Sequence, residues 1–205
     1  VGRTAALKIE DSENEGYAEW KVRQLSPAFQ FKSHPNDSGG QRYFSNSSHE
    51  LAVFGNLITG RNPIPFLSEF SWLGFAVWMM DDGHLQKPWG GYGYRYILSI
   101  GRYRKDPQMR LQISAKLDSL GLAHQWKQDK QVVFSVDTSK VIADNISKYV
   151  PSCMAHKLPE GFGVKHDELG LSFAPQVITA LVKLQSIAPA SKRKYRNRQY
   201  YDIHV

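Results

Sequence analysis

Two adjacent carboxylates, Asp81 and Asp82, end a strongly apolar run and are followed at once by Gly83. If the run is helical, the acids lie at the electronegative end of the helix, where each is disfavoured by about 1 kcal/mol or less. A divalent cation such as Mg²⁺ would offset this cost, because it prefers carboxylate oxygens and completes its shell with water and phosphate. A solvated pair at a turn is the alternative, so the acids alone leave both interpretations open.

Downstream of the acids, cations are interleaved with aromatic residues. The set comprises Tyr92, Tyr94, Arg95, Tyr96, Arg102, Tyr103, Arg104, Lys105 and Arg110. This mixture suits a surface that lies along phosphates and bases, although an ordinary solvated strand face would have the same composition. The formal net charge of the chain is +7, which favours a polyanionic partner without identifying one.

The composition favours an intracellular protein, either cytoplasmic or nucleoid-associated. Cys153 is the single cysteine, so we expect no disulfide framework and no thiolate zinc site. No apolar run reaches the length of about 20 residues that spans a membrane. Residues 1–10 alternate like a strand rather than a signal peptide, and we expect no membrane partner.

A helix predicted over residues 68–82 must position the acidic pair. It is apolar on nearly every side, which is typical of a buried helix. Pro63 and Pro65 suit its entry, and Gly83 suits a cap at its carboxyl end.

The pattern beyond this helix predicts alternating strands and helices. In chain order these are a strand over residues 94–102, a helix over 106–122, a hairpin over 124–137 and a helix over 139–150 that Pro151 ends. In the first of these helices, Leu111, Ala115, Leu117 and Leu120 lie at helical spacing.

The front of the chain repeats the same order. We predict a strand over residues 3–11, a helix over 12–26, a hairpin over 29–47 and a Ser-capped helix over 47–58. Strand, helix, hairpin and helix therefore occur twice. Only the second copy is preceded by the apolar helix, and the tail from about residue 166 does not continue the repeat.

Two segments of this chain resemble a known family. LGFAVWMMDDG, residues 73–83, resembles the signature helix of the LAGLIDADG homing endonucleases, and PSCMAHKLP, residues 151–159, resembles their closing segment with its lysine before Leu-Pro. The resemblance covers about residues 1–165. It implies an α+β fold of two pseudo-repeated αββαββα halves, with the first motif helix missing from this chain.

The resemblance also implies three regions. Residues 1–66 would be the remainder of the first half, and residues 67–165 the second half with its motif helix. Residues 166–205 would be a linker and the start of an intein C-terminal splicing segment, because YDIHV at residues 201–205 resembles a strand of that segment.

The family's functional positions carry over to named residues. Asp82 matches the metal-ligating, catalytic acid, and Asp81 beside it is a secondary metal ligand. Lys157 matches the catalytic lysine that stabilises phosphate charge, with a plain surface lysine as the alternative. Gly74, Ala76 and Gly83 match small residues at the interface between motif helices, although core filling explains the first two equally well.

One departure from the family affects the strand after the motif. Relatives often carry a polar Gln or Asn there, whereas this chain reads Leu98-Ser99-Ile100-Gly101. Ser99 could substitute, but Gly101 has no side chain that could position water.

The implied activity is site-specific cleavage of double-stranded DNA at an intein insertion site, with Mg²⁺ or Mn²⁺ assisting phosphodiester hydrolysis. A separate N-terminal fragment is expected to supply the missing helix and its acid. The candidate DNA-contact residues are Lys8, Gln30, Lys32, Arg42, Lys87, Tyr94, Arg95, Arg102 and Arg104. A first rival, with the same fold, is a LAGLIDADG-type DNA-binding protein or RNA maturase that does not cut. A second rival is a purely structural intein domain without salt-dependent DNA affinity.

Overall fold

The described part of the chain has an α+β architecture, with two four-stranded sheets and helices beside them. The computed structural model describes residues 5–10, 15–36, 39–48, 51, 71–87, 93–100, 107–163, 179 and 199–202. One unit contains Val1–Glu69 together with Leu171–His204, and the other contains Phe70–Gly170. The sequence predicts a separate region for residues 166–205, whereas here most of that tail groups with the first unit.

The described residues of the first unit form a sheet and a helix of 11 residues. Its elements are β1 (Ala5–Glu10), α1 (Glu15–Leu25), β2 (Phe31–Pro35), β3 (Gln41–Ser45) and β8 (Gln199–Asp202). The strand order is β2-β3-β1-β8, with β1 antiparallel to β3 and parallel to β8. The tail therefore contributes an edge strand to the first sheet, and its proposed place in an intein remains a prediction.

Alternation along β1 separates the two faces of the first sheet. Leu7 is buried in an apolar cluster with Leu51, and Leu25 of α1 packs against this cluster. Lys8 and Glu10 project from the opposite face because they differ from Leu7 by an odd number of residues. The first sheet thus has one face under α1 and one polar face.

Where the structure describes the second unit, it combines an antiparallel sheet with three α-helices. Its elements are α2 (Trp72–Asp82), β4 (Gly83–Gln86), β5 (Arg95–Ser99), α3 (Pro107–Ser119), β6 (His124–Lys127), β7 (Gln131–Phe134), α4 (Val136–Ile146) and a 3₁₀ helix (Ser152–Lys157). The strand order is β4-β5-β7-β6, with every neighbouring pair antiparallel.

The helix α2 is apolar and largely buried, as the sequence predicts. Ser71 caps it, because its hydroxyl accepts the N–H of Gly74, so the helix begins later than the expected residue 68. Phe75 is completely buried and meets Phe134 of β7 edge to face, with ring centroids 6.0 Å apart. Met79 and Met80, directly before the acids, are also buried, so packing fixes the acidic end of α2 as well.

The buried face of α3 includes Leu117 of the predicted set but differs from the prediction at Leu111 and Ala115. Met109, Ile113 and Leu117 are buried, whereas Leu111 is 65% exposed and Ala115 is also exposed. A shift of two residues turns a helix by about 200°, so the predicted Leu111–Ala115 pair occupies the face opposite the core. The helix ends where Gly121 adopts a φ of +72°, which favours glycine and allows a C-terminal cap.

The hairpin between β6 and β7 is confirmed. Gln128 and Asp129 have φ values of 52° and 55°, which is the backbone of a type I′ turn that matches strand twist. Ser135 then caps α4 by accepting the N–H of Thr138. The helix ends at Ile146, before the expected stop at Pro151.

Some predictions fall on residues that are not described. Ser48 accepts the N–H of Leu51, as a helix cap would, but the rest of that predicted helix and both prolines at 63 and 65 lie outside the described residues. Among the helices that the structure describes, none has the length and apolar character needed to cross a membrane.

Candidate functional site

The chain turns sharply from α2 into β4 at Gly83. Gly83 donates its N–H to Met79 O and has φ −83° and ψ 147°. It is buried, and a Cβ atom here would collide with Met79 O and lie 2.8 Å from Met79 Cα. A residue without a side chain is therefore required for this direct helix-to-strand connection.

The two acids at this junction have different surroundings. Asp82 is exposed, whereas Asp81 is half-buried and its Oδ2 atom is shielded from water. Asp82 is therefore the acid whose carboxylate a ligand from solvent can reach. The sequence ranks Asp82 before Asp81 as a metal ligand, and that ranking remains a prediction.

Lys157 lies beside the same junction. It ends the 3₁₀ helix, and its Nζ donates to Gly83 O across 2.5 Å. The two residues are 74 positions apart in sequence, so only the fold brings them together. A cation at the carboxyl end of a helix is favourable in itself, and the catalytic role of Lys157 remains a prediction.

Tyr96 holds the backbone of Lys157, a role that sequence reasoning missed. Its hydroxyl donates to Lys157 O across 2.7 Å, and its own N–H donates to the buried Ser139 Oγ across 2.9 Å. Burial, with a smaller contribution from Tyr94, raises the pKa of Tyr96, so the phenol stays a donor. The available signal was alternation, since a tyrosine at a core position needs a partner for its hydroxyl.

The donor set suits one kind of metal binding. Among the described residues, no group of three or more His, Cys, Asp or Glu side chains is arranged to hold a metal ion. Mg²⁺ usually needs only one or two carboxylates, with water and substrate phosphates as its other ligands. An exposed Asp82 with Asp81 beside it fits that mode and does not fit a cage made by the protein alone.

Gly74, Ala76, Ser99 and Gly101 are the other positions that the family resemblance singles out. Ala76 is completely buried and Gly74 is half-buried, and their interface role remains a prediction. Ser99 is half-buried and follows Leu98, the strand partner of Gly83. Gly101 lies outside the described residues.

The four candidate DNA-contact residues of the first unit share one face of its sheet. Lys8 and Lys32 both pair with Phe44, and Arg42 pairs with Glu10. Gln30 extends the same row, because its carbonyl accepts the N–H of Asn46. Alternation puts all of them on the face opposite α1.

Glu10 also lies on this face, and sequence reasoning missed its role. Its carboxylate pairs with Lys8 Nζ at 2.7 Å and with Arg42 Nη2 at 2.8 Å. Hydrogen bonds from Arg42 and then Lys8 lower the pKa of Glu10 from 4.5 to about 2. The strand pattern shows that these residues are polar but does not show the cross-strand pairing.

The second sheet has a comparable open face. Arg95 is exposed on it, and alternation adds polar residues that sequence reasoning did not single out. These are Gln86, Gln125, Lys127 and Gln131. His84 and Ser99, which adjoin or follow the acidic motif in sequence, lie on the same face. The period of two in β6 and β7 was the signal that could have identified them.

The other candidates on the second unit have different placements. Tyr94 lies beside the buried Tyr96 and near Phe162, with ring centroids 6.4 and 6.3 Å away. It is therefore on the core side and not with Arg95. Lys87 is exposed directly after β4, and Arg102 and Arg104 lie outside the described residues.

Comparison with known proteins adds no assignment. No protein-family model matches this chain, and no curated protein matches it.

Proposed function

We propose that this protein is a metal-dependent, site-specific DNA endonuclease of the LAGLIDADG type that makes a double-strand break at an intein insertion site. One observation carries the proposal: the Lys157 ammonium lies 2.5 Å from Gly83 O, at the helix end that bears Asp82. Two motifs that resemble one family in sequence thus meet in space, although 74 residues separate them.

The residues at this junction have complementary roles in phosphodiester hydrolysis. A bound Mg²⁺ or Mn²⁺ would supply positive charge that stabilises the charge developing at phosphorus. The exposed Asp82 carboxylate would hold that ion, with Asp81 as a secondary ligand. Lys157 provides a fixed cation for a phosphate oxygen, because Gly83 O and the Tyr96 hydroxyl restrain its side chain and backbone.

The open sheet faces support double-stranded DNA as the substrate. Each unit has one face covered by helices and one face rich in cations and amides. Cations neutralise phosphates, and Arg, Gln and Asn side chains can read base edges in the major groove. We propose that both faces contact DNA, with Lys8, Lys32, Arg42 and Arg95 among the contacts.

Cutting both strands needs acids at two phosphates. We propose that residues outside this sequence, such as a separate N-terminal fragment, supply the first motif helix and its acid. The family's two-half fold is part of the same proposal.

Asp82→Asn tests the site directly. Target sequences would be selected from a randomised duplex library with the full chain, and cleavage would be read on each labelled strand, so that nicking counts. With Mg²⁺ present, we expect the wild-type chain to nick one strand, because the acid for the other strand is proposed to come from outside this sequence. The variant should lose on the order of 100-fold or more, since even residues that merely support a metal ligand cost 10–100-fold. Binding should not weaken.

The matched control is Asp137→Asn. Asp137 is an acid whose side chain is 94% exposed on α4 of the same unit, so its substitution makes the same charge change away from the junction. Full cleavage by Asp82→Asn would refute the site assignment. Wild-type protein that binds DNA but never cuts would favour the inactive binder, and preference for RNA would favour a maturase.

A further inference from the structure

A carboxylate lies between two cations on the polar face of the first sheet. Glu10 Oε2 is 2.7 Å from Lys8 Nζ, and Glu10 Oε1 is 2.8 Å from Arg42 Nη2. The pKa of Glu10 is lowered to about 2 by these partners, so the group is ionised throughout the physiological range. The three side chains keep between 21% and 29% of their surface exposed.

Folding alone does not account for this arrangement. Solvent-exposed ion pairs contribute little to stability, and the apolar cluster under α1 lies on the other side of the sheet. The placement instead matters for anything anionic that approaches the polar face. A phosphate that contacts Lys8 or Arg42 must compete with Glu10 and come close to a like charge.

We infer that Glu10 is a specificity-determining residue of this face, where it competes with phosphates for Lys8 and Arg42 and so weakens binding to non-cognate DNA. The inference rests on the proposed function, since it assumes that this face contacts DNA. Phosphate contacts supply essentially all of non-specific affinity, so a counter-ion built into the face lowers that affinity selectively.

Base edges do not impose the same penalty. Arg can donate to guanine O6 and N7, and Glu can accept from the amino group of cytosine. Arg42 and Glu10 therefore both have hydrogen-bonding partners at a G·C pair. Beside a phosphate, Glu10 meets only another anion, which repels it. The ion pair therefore weakens contacts with the DNA backbone more than it weakens contacts with base edges.

Glu10→Gln tests this role through the salt dependence of binding. The probe is a labelled random-sequence duplex, titrated with wild-type and variant full chains by fluorescence anisotropy. Each added phosphate contact steepens the slope of log affinity against log salt by about 0.9. For one or two added contacts, we expect Glu10→Gln to bind more tightly than wild type. The ratio of the variant's affinity to that of wild type should fall by about three- to twelvefold between about 50 and about 200 mM salt.

Glu19→Gln is the matched control, because Glu19 is exposed on α1 of the same unit. It removes the same charge from the covered side of the sheet, so its salt slope should equal that of wild type. Melting temperatures of both variants confirm that they are folded before binding is compared.

The outcomes are distinct. A steeper slope and tighter binding for Glu10→Gln alone support the inference. Slopes that are equal in wild type and Glu10→Gln overturn it, and so does weaker binding, which would make Glu10 a residue that positions the cations for DNA. If wild-type protein shows no salt-dependent binding, the proposed function itself fails and the inference fails with it.

Discussion

Gly83→Ala would place a methyl group where α2 turns into β4. The added Cβ atom would meet Met79 O and lie 2.8 Å from Met79 Cα, both of which are backbone atoms. It would also lie 2.6 Å from Met79 Cε, but that flexible side-chain end can move away. The backbone contacts can be relieved only if the end of the helix shifts relative to the strand.

Two contributions set the size of the effect. Forcing an extra methyl group into a packed site typically costs about 1–3 kcal/mol. The shift also disturbs Gly83 O, which accepts the Lys157 ammonium across 2.5 Å, and hydrogen bonds to charged groups contribute about 1.5–3 kcal/mol. Because the lysine is only half-buried, we expect the lower half of that range and a total loss of about 3 kcal/mol.

Urea unfolding followed by tryptophan fluorescence measures this loss. Gly163→Ala is the matched control, because no atom lies within 4 Å of the position of its Cβ. It should change the free energy of unfolding by no more than about 0.5 kcal/mol. Thermal unfolding should agree, since about 3 kcal/mol corresponds to a fall of roughly 6–12 °C in a chain of this size.

Equal stability of the two alanine variants would refute the reasoning. It would mean that the junction has room to adapt and that Gly83 is not what allows the helix to run directly into the strand. The close approach of Lys157 to the acidic helix end would then lack its structural cause.

Two further predictions concern residues that the sequence did not single out. Tyr96→Phe leaves Lys157 O without its 2.7 Å donor, so we expect a loss of about 1–2 kcal/mol in unfolding free energy; a loss below about 0.3 kcal/mol would show that the carbonyl finds another donor. Glu10 has its pKa lowered from 4.5 to about 2, so its ion pairs stabilise the folded state fully above pH 4.5 and progressively less as the pH falls to 2. Wild-type protein should therefore exceed Glu10→Gln by about 1 kcal/mol or less at neutral pH, and the difference should disappear near pH 2; a constant difference would contradict the assigned pKa.

Local patterns predicted much of the secondary structure. The apolar run before Asp82, the alternation along β1 and the hairpin around Gln128 were recognisable because helix and strand periodicity arises between near neighbours in sequence. The choice of buried face on α3 was not recognisable in this way. Both Met109 and Leu111 begin rows at helical spacing, and only packing against the rest of the unit selects the first.

The sequence by itself determined that two acids end an apolar helix, that polar residues alternate along the strands, and that a lysine, Lys157, precedes Leu-Pro. These features follow from composition and from spacings of a few residues. Tertiary structure alone decided that Lys157 reaches Gly83 across 74 positions, that Tyr96 holds Lys157 across 61, and that Glu10 pairs with Arg42 across 32. Such contacts depend on strand register and on how elements pack, which are long-range properties that local spacing does not encode.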